Sequence, residues 1–231
     1  MIATKTSIKR SYPNFLIIIA AIIISLGIFW LIIHEVITEK EEAIDQKIMN
    51  FISQYVNPKY TTIMADITFL GSRDFLITAY LFLISLFLIK KQKYTALKIA
   101  LIGTIGFSMV EIFKNIFHRH RPLHPLISPL NNYSFPSGHT TSGFIFYGLL
   151  IHLLWQTKIS SFYKWILSIF FFVISILIGL SRIYLNMHFP SDVAAGFCLG
   201  FAWLVMAIFL FDKAKSVSPP ALIRNTRNDK A

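Results

Sequence analysis

Three polar blocks stand at the ends of long apolar runs in this chain. The first is Lys114-Asn115-Ile116-Phe117-His118-Arg119-His120-Arg121-Pro122. Lys114 and Arg121 are seven residues apart, two helical turns, so a helix continuing until Pro122 would point both the same way. The second block, Pro136-Ser137-Gly138-His139, is a turn feeding an apolar helix. Ser137 suits an N-cap there, and Gly138 lets the backbone approach a ligand closely. Free amides and the positive dipole end of such a helix favour an anion. The third block is Ser181-Arg182, then His188, then Asp192 one turn further on.

Permanent cations at Lys114, Arg121 and Arg182, with backbone donors at Ser137 and Gly138, suit a phosphoryl group, whose oxygens carry charge in the transition state. The two histidines divide the remaining work. A carboxylate one turn from a histidine holds it in one tautomer and stabilises the imidazolium that forms on attack. That assigns the nucleophile to His188 and its orientation to Asp192. His139 lacks a carboxylate nearby in sequence and adjoins the expected phosphate cradle, so it is placed to protonate a leaving alkoxide and then activate water. Metal assistance is not expected, because Asp192 and Glu111 are too few carboxylates for a magnesium or two-metal cage. No metal and no cofactor is therefore called for.

These side chains are set in a membrane composition. Of the 231 residues, 55% are apolar and 14% charged. The net charge of +11 lies in clusters between apolar runs instead of along one polar face, which argues against nucleic acid. Six runs approach the roughly 20 apolar residues that a helix needs to cross a bilayer: Asn14 to Ile33, Asp74 to Ile89, Thr95 to Phe117, His139 to Gln156, Phe162 to Ile183 and Pro190 to Phe211. The first follows Lys5, Lys9 and Arg10 but lacks a small-residue cleavage site, and reads as a retained span.

Basic residues recur in alternate connections: at the N-terminus, at Lys90, Lys91, Lys93 and Lys98, at Lys158 and Lys164, and from Lys213 to Lys230. Cytoplasmic loops carry that excess, so both termini should be cytoplasmic. The cluster Lys114, Arg119 and Arg121 then falls on the opposite side, where membrane topology alone does not require it. Its presence points to function, and the active site is expected outside the cytoplasm.

The first connection holds Ile44, Ile48, Phe51, Ile52, Tyr55 and Val56 in a helical stripe opposite Asp45, Gln46 and Asn50, read as an amphipathic helix on the outer membrane surface. Asn57-Pro58 ends it, and Gly71-Ser72 turns into the second span. The domain plan is one transmembrane unit over residues 1–212 and a disordered basic cytoplasmic tail over 213–231. Cys198, His34, His118, His120, His124 and His152 read as ordinary packed or interfacial residues, while Arg119 reads as reaching either phosphate or headgroups.

The three blocks, in this order and on these spans, resemble the type-2 phosphatidic acid phosphatase family. Its pattern is a lysine seven residues before Arg-Pro, then Pro-Ser-Gly-His, then Ser-Arg with histidine and aspartate following. Lys114, Arg121 and Pro122 match the first element; Pro136, Ser137, Gly138 and His139 the second; Ser181, Arg182, His188 and Asp192 the third. The resemblance implies an all-α integral membrane phosphatase with six helices, no metal, and His188 as nucleophile. It implies a lipid phosphate substrate within the bilayer, such as undecaprenyl pyrophosphate, phosphatidylglycerophosphate, phosphatidic acid or a lipid A phosphate, and leaves the oligomeric state open. A lipid-to-lipid phosphotransferase would use the same pocket. A non-enzymatic transporter would instead set its ionisable residues near mid-membrane, whereas here they lie at span ends.

Overall fold

A computed structural model describes residues 15–40, 42–128 and 131–217, and the regular structure among them is entirely helical. Helix α1 (Phe15–Ile33) continues as a π-helical turn over His34–Thr38. It is followed by α2 (Ala43–Ser53), α3 (Pro58–Phe69), α4 (Arg73–Ile89), α5 (Lys93–Phe117), α6 (Gly138–Trp155), α7 (Ser161–Tyr184) and α8 (Pro190–Val217).

Among the described residues, five helical segments are long and apolar enough to cross a bilayer: Phe15–Thr38, Pro58–Ile89, Lys93–Phe117, Ser161–Tyr184 and Pro190–Ala214. Their outward faces carry exposed Leu16, Ile23, Leu81, Phe82, Phe162 and Phe170, apolar surface that only lipid can cover favourably. The chain is a multi-pass membrane protein. Helix α6, expected as a further span, has 18 residues, about 27 Å of helix at 1.5 Å per residue. Its first two turns are polar because Gly138, His139, Thr140, Thr141 and Ser142 occupy them. It packs against α5, α7 and α8, while α1 lies against α8.

The second span begins earlier than its apolar run suggests. Asn57 caps α3 by accepting the Tyr60 amide at 3.0 Å, with Pro58 in the first turn, where a missing amide costs nothing. The stretch then turns at Leu70 to Ser72, where Ser72 caps α4 through the Phe75 amide at 3.3 Å. Helix α8 runs on to Val217, so the expected tail boundary at residue 213 falls inside a helix. Positions 218–231 and the basic N-terminal residues lie outside the described residues.

The main core joins Leu76 and Tyr80 of α4, Ile99 and Ile102 of α5, Ile145 and Leu149 of α6, Ile178 of α7 and Leu204 of α8. Two close approaches aim the site. A Cβ on Gly196 would lie 3.0–3.1 Å from Thr141 Oγ1, the Ser137 carbonyl and Thr140 Cβ, so glycine lets α8 press against the start of α6. A Cβ on Gly71 would meet Ile178 Cγ2 at 2.5 Å and the His139 carbonyl at 3.2 Å, which brings the turn before α4 onto the same place. Elsewhere, buried Lys98 donates to Asp212 Oδ1 at 2.7 Å and lies 2.8 Å from His152 Nε2, tying α5, α6 and α8 together.

Candidate active site

His188 occupies the short connection between α7 and α8, and its two ring nitrogens face different partners. Nδ1 lies 3.2 Å from Ser134 Oγ and 3.4 Å from Asp192 Oδ2. Nε2 lies 3.0 Å from Arg121 Nη1. A guanidinium only donates, so Nε2 must accept, and the hydrogen-bond network assigns the ring proton to Nδ1. Ser134 passes that interaction on by donating its hydroxyl proton to Asp192 Oδ2. The imidazole is wholly enclosed. Burial, then the charges of Arg121, Arg182 and Lys114, hold it well below the usual imidazole range despite the opposing bond to Ser134. At neutral pH it is a neutral base whose Nε2 lone pair accepts from Arg121.

Asp192 sits in the first turn of α8, one turn on from His188, which itself precedes that helix. Its Oδ2 also accepts the Phe189 amide at 2.9 Å, so the carboxylate secures the start of the helix that carries it. Its Oδ1 accepts from Arg119 Nη1 at 2.7 Å. Arg119, read from sequence as reaching phosphate or headgroups, directs its terminal nitrogens to carboxylates. It is buried against Asp192, Asp45 and Ser191, with Glu42 at the edge and the Phe189 ring 4.2 Å from its Cζ. Burial works against its charge, but Asp192 and Asp45 outweigh it and raise the guanidinium above its ordinary range.

The remaining cations arrive by routes that spacing alone misjudges. Helix α5 does not run to Pro122. It stops at Phe117, because His118 takes the left-handed conformation (φ 51°) and returns its amide to the Lys114 carbonyl at 3.1 Å. Lys114 therefore lies in the last turn of the helix, its ammonium bonded to the Tyr133 carbonyl. Arg121 lies beyond in the α5–α6 connection, held by the Asn132 carbonyl at 2.8 Å, Asn132 Oδ1 at 2.7 Å and the Met187 carbonyl at 2.7 Å. The two still meet, through the returning chain instead of a shared helical face.

Ser137 stands at the N-cap of α6, but its side chain makes no capping bond. Its Oγ accepts from Thr140 Oγ1 at 2.9 Å, and its amide donates to the Asp192 carbonyl at 3.0 Å. Gly138 and His139 then begin the helix, where amides lack partners within it. Arg182 lies in the last turn of α7, 1% exposed, with Nη1 donating to Thr68 Oγ1 at 2.9 Å. Its Nε and Nη2 are buried with no partner among the described residues. These two N–H groups form the edge by which a guanidinium grips an oxyanion with two parallel bonds.

A cavity of about 200 Å³ is lined by Gly71, Arg73, Glu111, Lys114, Arg121, Asn132, Gly138, His139, Ser142 and His188, with Phe107 and Val110 as its apolar part. Arg182, Asp192 and Ser137 are buried and are not among its lining residues, although the charge of Arg182 acts on both His139 and His188. An apolar furrow of about 150 Å³ between α4 and α5, lined by Ile77, Tyr80, Leu81, Ile84 and Gly103, shares Phe107 with the cavity. A wider groove of about 960 Å³ on the other side of Arg121 runs between α2 and residues 117–126 but includes neither His139 nor His188. Ser134, Asn132, Thr68 and Asp45 had no local signal in the sequence, since each meets the site through tertiary packing.

A model of the PAP2 superfamily matches residues 94–216. The phosphatidylglycerophosphatase B of Bacillus subtilis is 30% identical over 184 residues, which cover 77% of this chain and 88% of that relative. An undecaprenyl-diphosphatase of Sulfolobus acidocaldarius is 29% identical over 140 residues, 58% of this chain and 62% of that relative. Among solved structures, a transmembrane PAP2-type phosphatidylglycerolphosphate phosphatase from Bacillus subtilis superposes with a TM-score of 0.78 at 25% identity, covering 86% of this chain and 99% of the other. LpxE of Aquifex aeolicus does so with a TM-score of 0.56 at 26% identity, covering 73% and 97%.

Proposed function

The chain belongs to the PAP2 superfamily, and on that premise we propose that it hydrolyses a lipid phosphate or pyrophosphate at the outer face of the membrane through a phosphohistidine on His188. It is a phosphatase of lipid phosphates, in keeping with its relatives, one named for phosphatidylglycerophosphate and one for undecaprenyl diphosphate. The observation that carries the reading is the unpartnered Nε and Nη2 edge of Arg182. A buried guanidinium edge costs free energy unless an anion completes it, and it lies beside the neutral nucleophile.

In this mechanism phosphate enters the cavity, and Arg121 transfers its Nη1 bond from His188 Nε2 to a phosphoryl oxygen. Lys114, Arg121, Arg182 and the amides around Ser137 and Gly138 hold the equatorial oxygens. The Nε2 lone pair forms the P–N bond while the P–O bond to the lipid breaks, and His139 gives its proton to the departing oxygen. The imidazolium keeps its Nδ1 proton toward Ser134 and Asp192, whose negative charge stabilises it. Water then attacks phosphorus, His139 takes a proton from it, the P–N bond breaks, and inorganic phosphate leaves with His188 neutral again. No step requires a metal, and the cation-rich walls suit an anion. The furrow meeting the cavity at Phe107 supports a lipid substrate, because an alkyl or prenyl chain would lie between α4 and α5 with its phosphate against His188.

Six spans with both termini cytoplasmic put this cavity outside, with α6 as the short fourth span and α2 along the outer interface. The support is the alternation of basic connections. Exposed Ile44, Ile48 and Phe51 on α2, with Asp45 turned inward, fit that placement. The transmembrane unit ends within α8, and the basic residues that follow belong to the cytoplasmic side.

The test is phosphate release by the purified protein from phosphatidylglycerophosphate, undecaprenyl pyrophosphate and phosphatidic acid in mixed micelles containing EDTA, without added acceptor lipid. Release from at least one lipid, inhibited by vanadate and abolished in H188A, is the expected result. A requirement for a divalent metal, or a donor lipid that loses its phosphate only when an acceptor lipid is supplied and passes it to that acceptor without free phosphate appearing, contradicts the proposal.

A further inference from the structure

We infer that Asp45, on helix α2 and outside all three motif blocks, is a positioning residue for phosphoryl transfer, dividing the charge of Arg119 with Asp192 and pinning the first turn of α8. The inference rests on the phosphohistidine reading above.

Two buried carboxylates grip one guanidinium from opposite ends, while the more exposed Glu42 reaches Nη2 at 3.3 Å from the edge, where water screens its charge. Arg119 Nη1 donates to Asp192 Oδ1 at 2.7 Å and Nη2 to Asp45 Oδ2 at 2.8 Å. All three side chains are 5% exposed or less, so water does little to screen them. Asp45 also accepts the Ser191 amide at 2.9 Å through Oδ1 and the Ser191 hydroxyl at 2.5 Å through Oδ2. Ser191 is the residue before Asp192, so α2 fixes the place from which the Asp192 side chain departs.

The charge sum gives the arrangement its chemical consequence. With Glu42 open to solvent and screened by it, Arg119 with Asp192 alone would be a neutral buried pair, leaving little negative potential for the imidazolium that forms on His188. Asp45 restores one negative charge to the buried group. Asp192 Oδ2 is thereby left to Ser134 and the Phe189 amide, and through Ser134 to His188. Around His188 the other charged or titratable groups are Lys114 of α5, Arg121 of the α5–α6 connection, His139 of α6 and Arg182 of α7. Besides Asp192, Asp45 is the other deeply buried carboxylate among the described residues. Asp45 touches no cavity wall, so its influence passes entirely through Arg119, Ser191 and Asp192.

The decisive variant is D45N, which keeps an acceptor for the Ser191 amide but removes the charge. Its kcat should fall about 10–100-fold, the range usual for a partner that orients a reactive group from one step away. KM should stay the same or fall, because no phosphate contact is lost and the cavity becomes more positive. The acid limb of the rate profile should move to lower pH, since the imidazolium of His188 loses a stabilising charge. D45E should recover part of kcat and return the acid limb toward its original position. A wild-type kcat and profile in D45N would overturn the inference, as would a raised KM with an unmoved limb. If D45N does not fold, R119K decides, because an ammonium cannot span both carboxylates: the same loss of kcat at constant KM supports the inference, and a wild-type rate overturns it. Failure of both variants to fold would assign the network to the fold alone and also overturn it. H188A assayed alongside separates the two levels, since an active H188A removes the phosphohistidine reading itself. An inactive H188A beside a wild-type D45N removes only the role of Asp45.

Discussion

Arg121 donates to His188 through Nη1 and Nε2 at 3.0 Å, so the cation that is to bind phosphate rests on the atom that is to attack it. The contact keeps Nε2 unprotonated, with its lone pair engaged by Arg121. It also means that substrate must displace Arg121 from the ring before P–N bond formation.

Arg121→Lys should therefore be severely impaired. Lysine keeps the charge but loses the fork that spans Asn132, Met187 and the ring. Loss of a donor preorganised for transition-state charge typically costs about 10²–10³-fold in kcat. Steady-state kinetics on a lipid phosphate in micelles should give a drop of that size, and a change under threefold would remove Arg121 from the cradle.

The pH dependence follows from the buried imidazole. Its folded value lies well below the ordinary 6.5 of the unfolded chain, so between the two the unfolded state holds the extra proton. This contribution to stability is present above about 6.5 and is lost as pH falls, by at most about 1.4 kcal/mol per pH unit from this one group. Thermal unfolding in detergent should show H188Q losing less stability than wild type between pH 6.5 and 5. The acid limb of kcat/KM should likewise lie below the usual imidazole range, and a limb at or above 6.5 would contradict a neutral, enclosed His188.

Much of the site was legible because charged and imidazole side chains are rare in apolar spans, so those at Lys114, Arg121, His139, Arg182, His188 and Asp192 stand out. What joins them was not. Spacing suggested a shared helical face for Lys114 and Arg121, whereas a left-handed turn at His118 ends α5, and the two meet by chain reversal. Ser134, Thr68 and Asp45 are ordinary residues in sequence that tertiary packing carries to Asp192, Arg182 and Arg119. Helix α3 escaped notice because Thr61, Thr62, Asp66 and Thr68 interrupt its apolar residues. His152 reads as a bland interfacial residue, yet it lies within hydrogen-bond distance of buried Lys98.

The Lys98–Asp212 pair should be structural. Lys98 is 3% exposed, and removing the partner of a buried cation typically costs about 3–5 kcal/mol. Asp212 is partly open to solvent, so D212A should fall at the low end of that range. Melting in detergent should show the loss while kcat and KM at moderate temperature stay at wild-type values. Altered kinetic constants with unchanged melting would refute the structural assignment.

Topology is open to impermeant thiol labelling in intact cells, with Cys198 first replaced by alanine. A cysteine at Asn131 should react and one at Gln92 should not, since the basic connection at Lys90, Lys91 and Lys93 is expected to be cytoplasmic. Reversed labelling would put the cavity on the cytoplasmic side.

The phosphohistidine itself is tested most directly by rapid quench. In H139A the water step should slow, because its base is gone, while attack on nitrophenyl phosphate should persist, because a stabilised aryl oxide hardly needs the acid, an aid otherwise worth about 10²–10⁴-fold. With radiolabelled nitrophenyl phosphate, H139A should accumulate acid-labile, base-stable label that peptide mapping locates on His188. Label on another residue, or a burst of nitrophenol from H188A, would contradict the account.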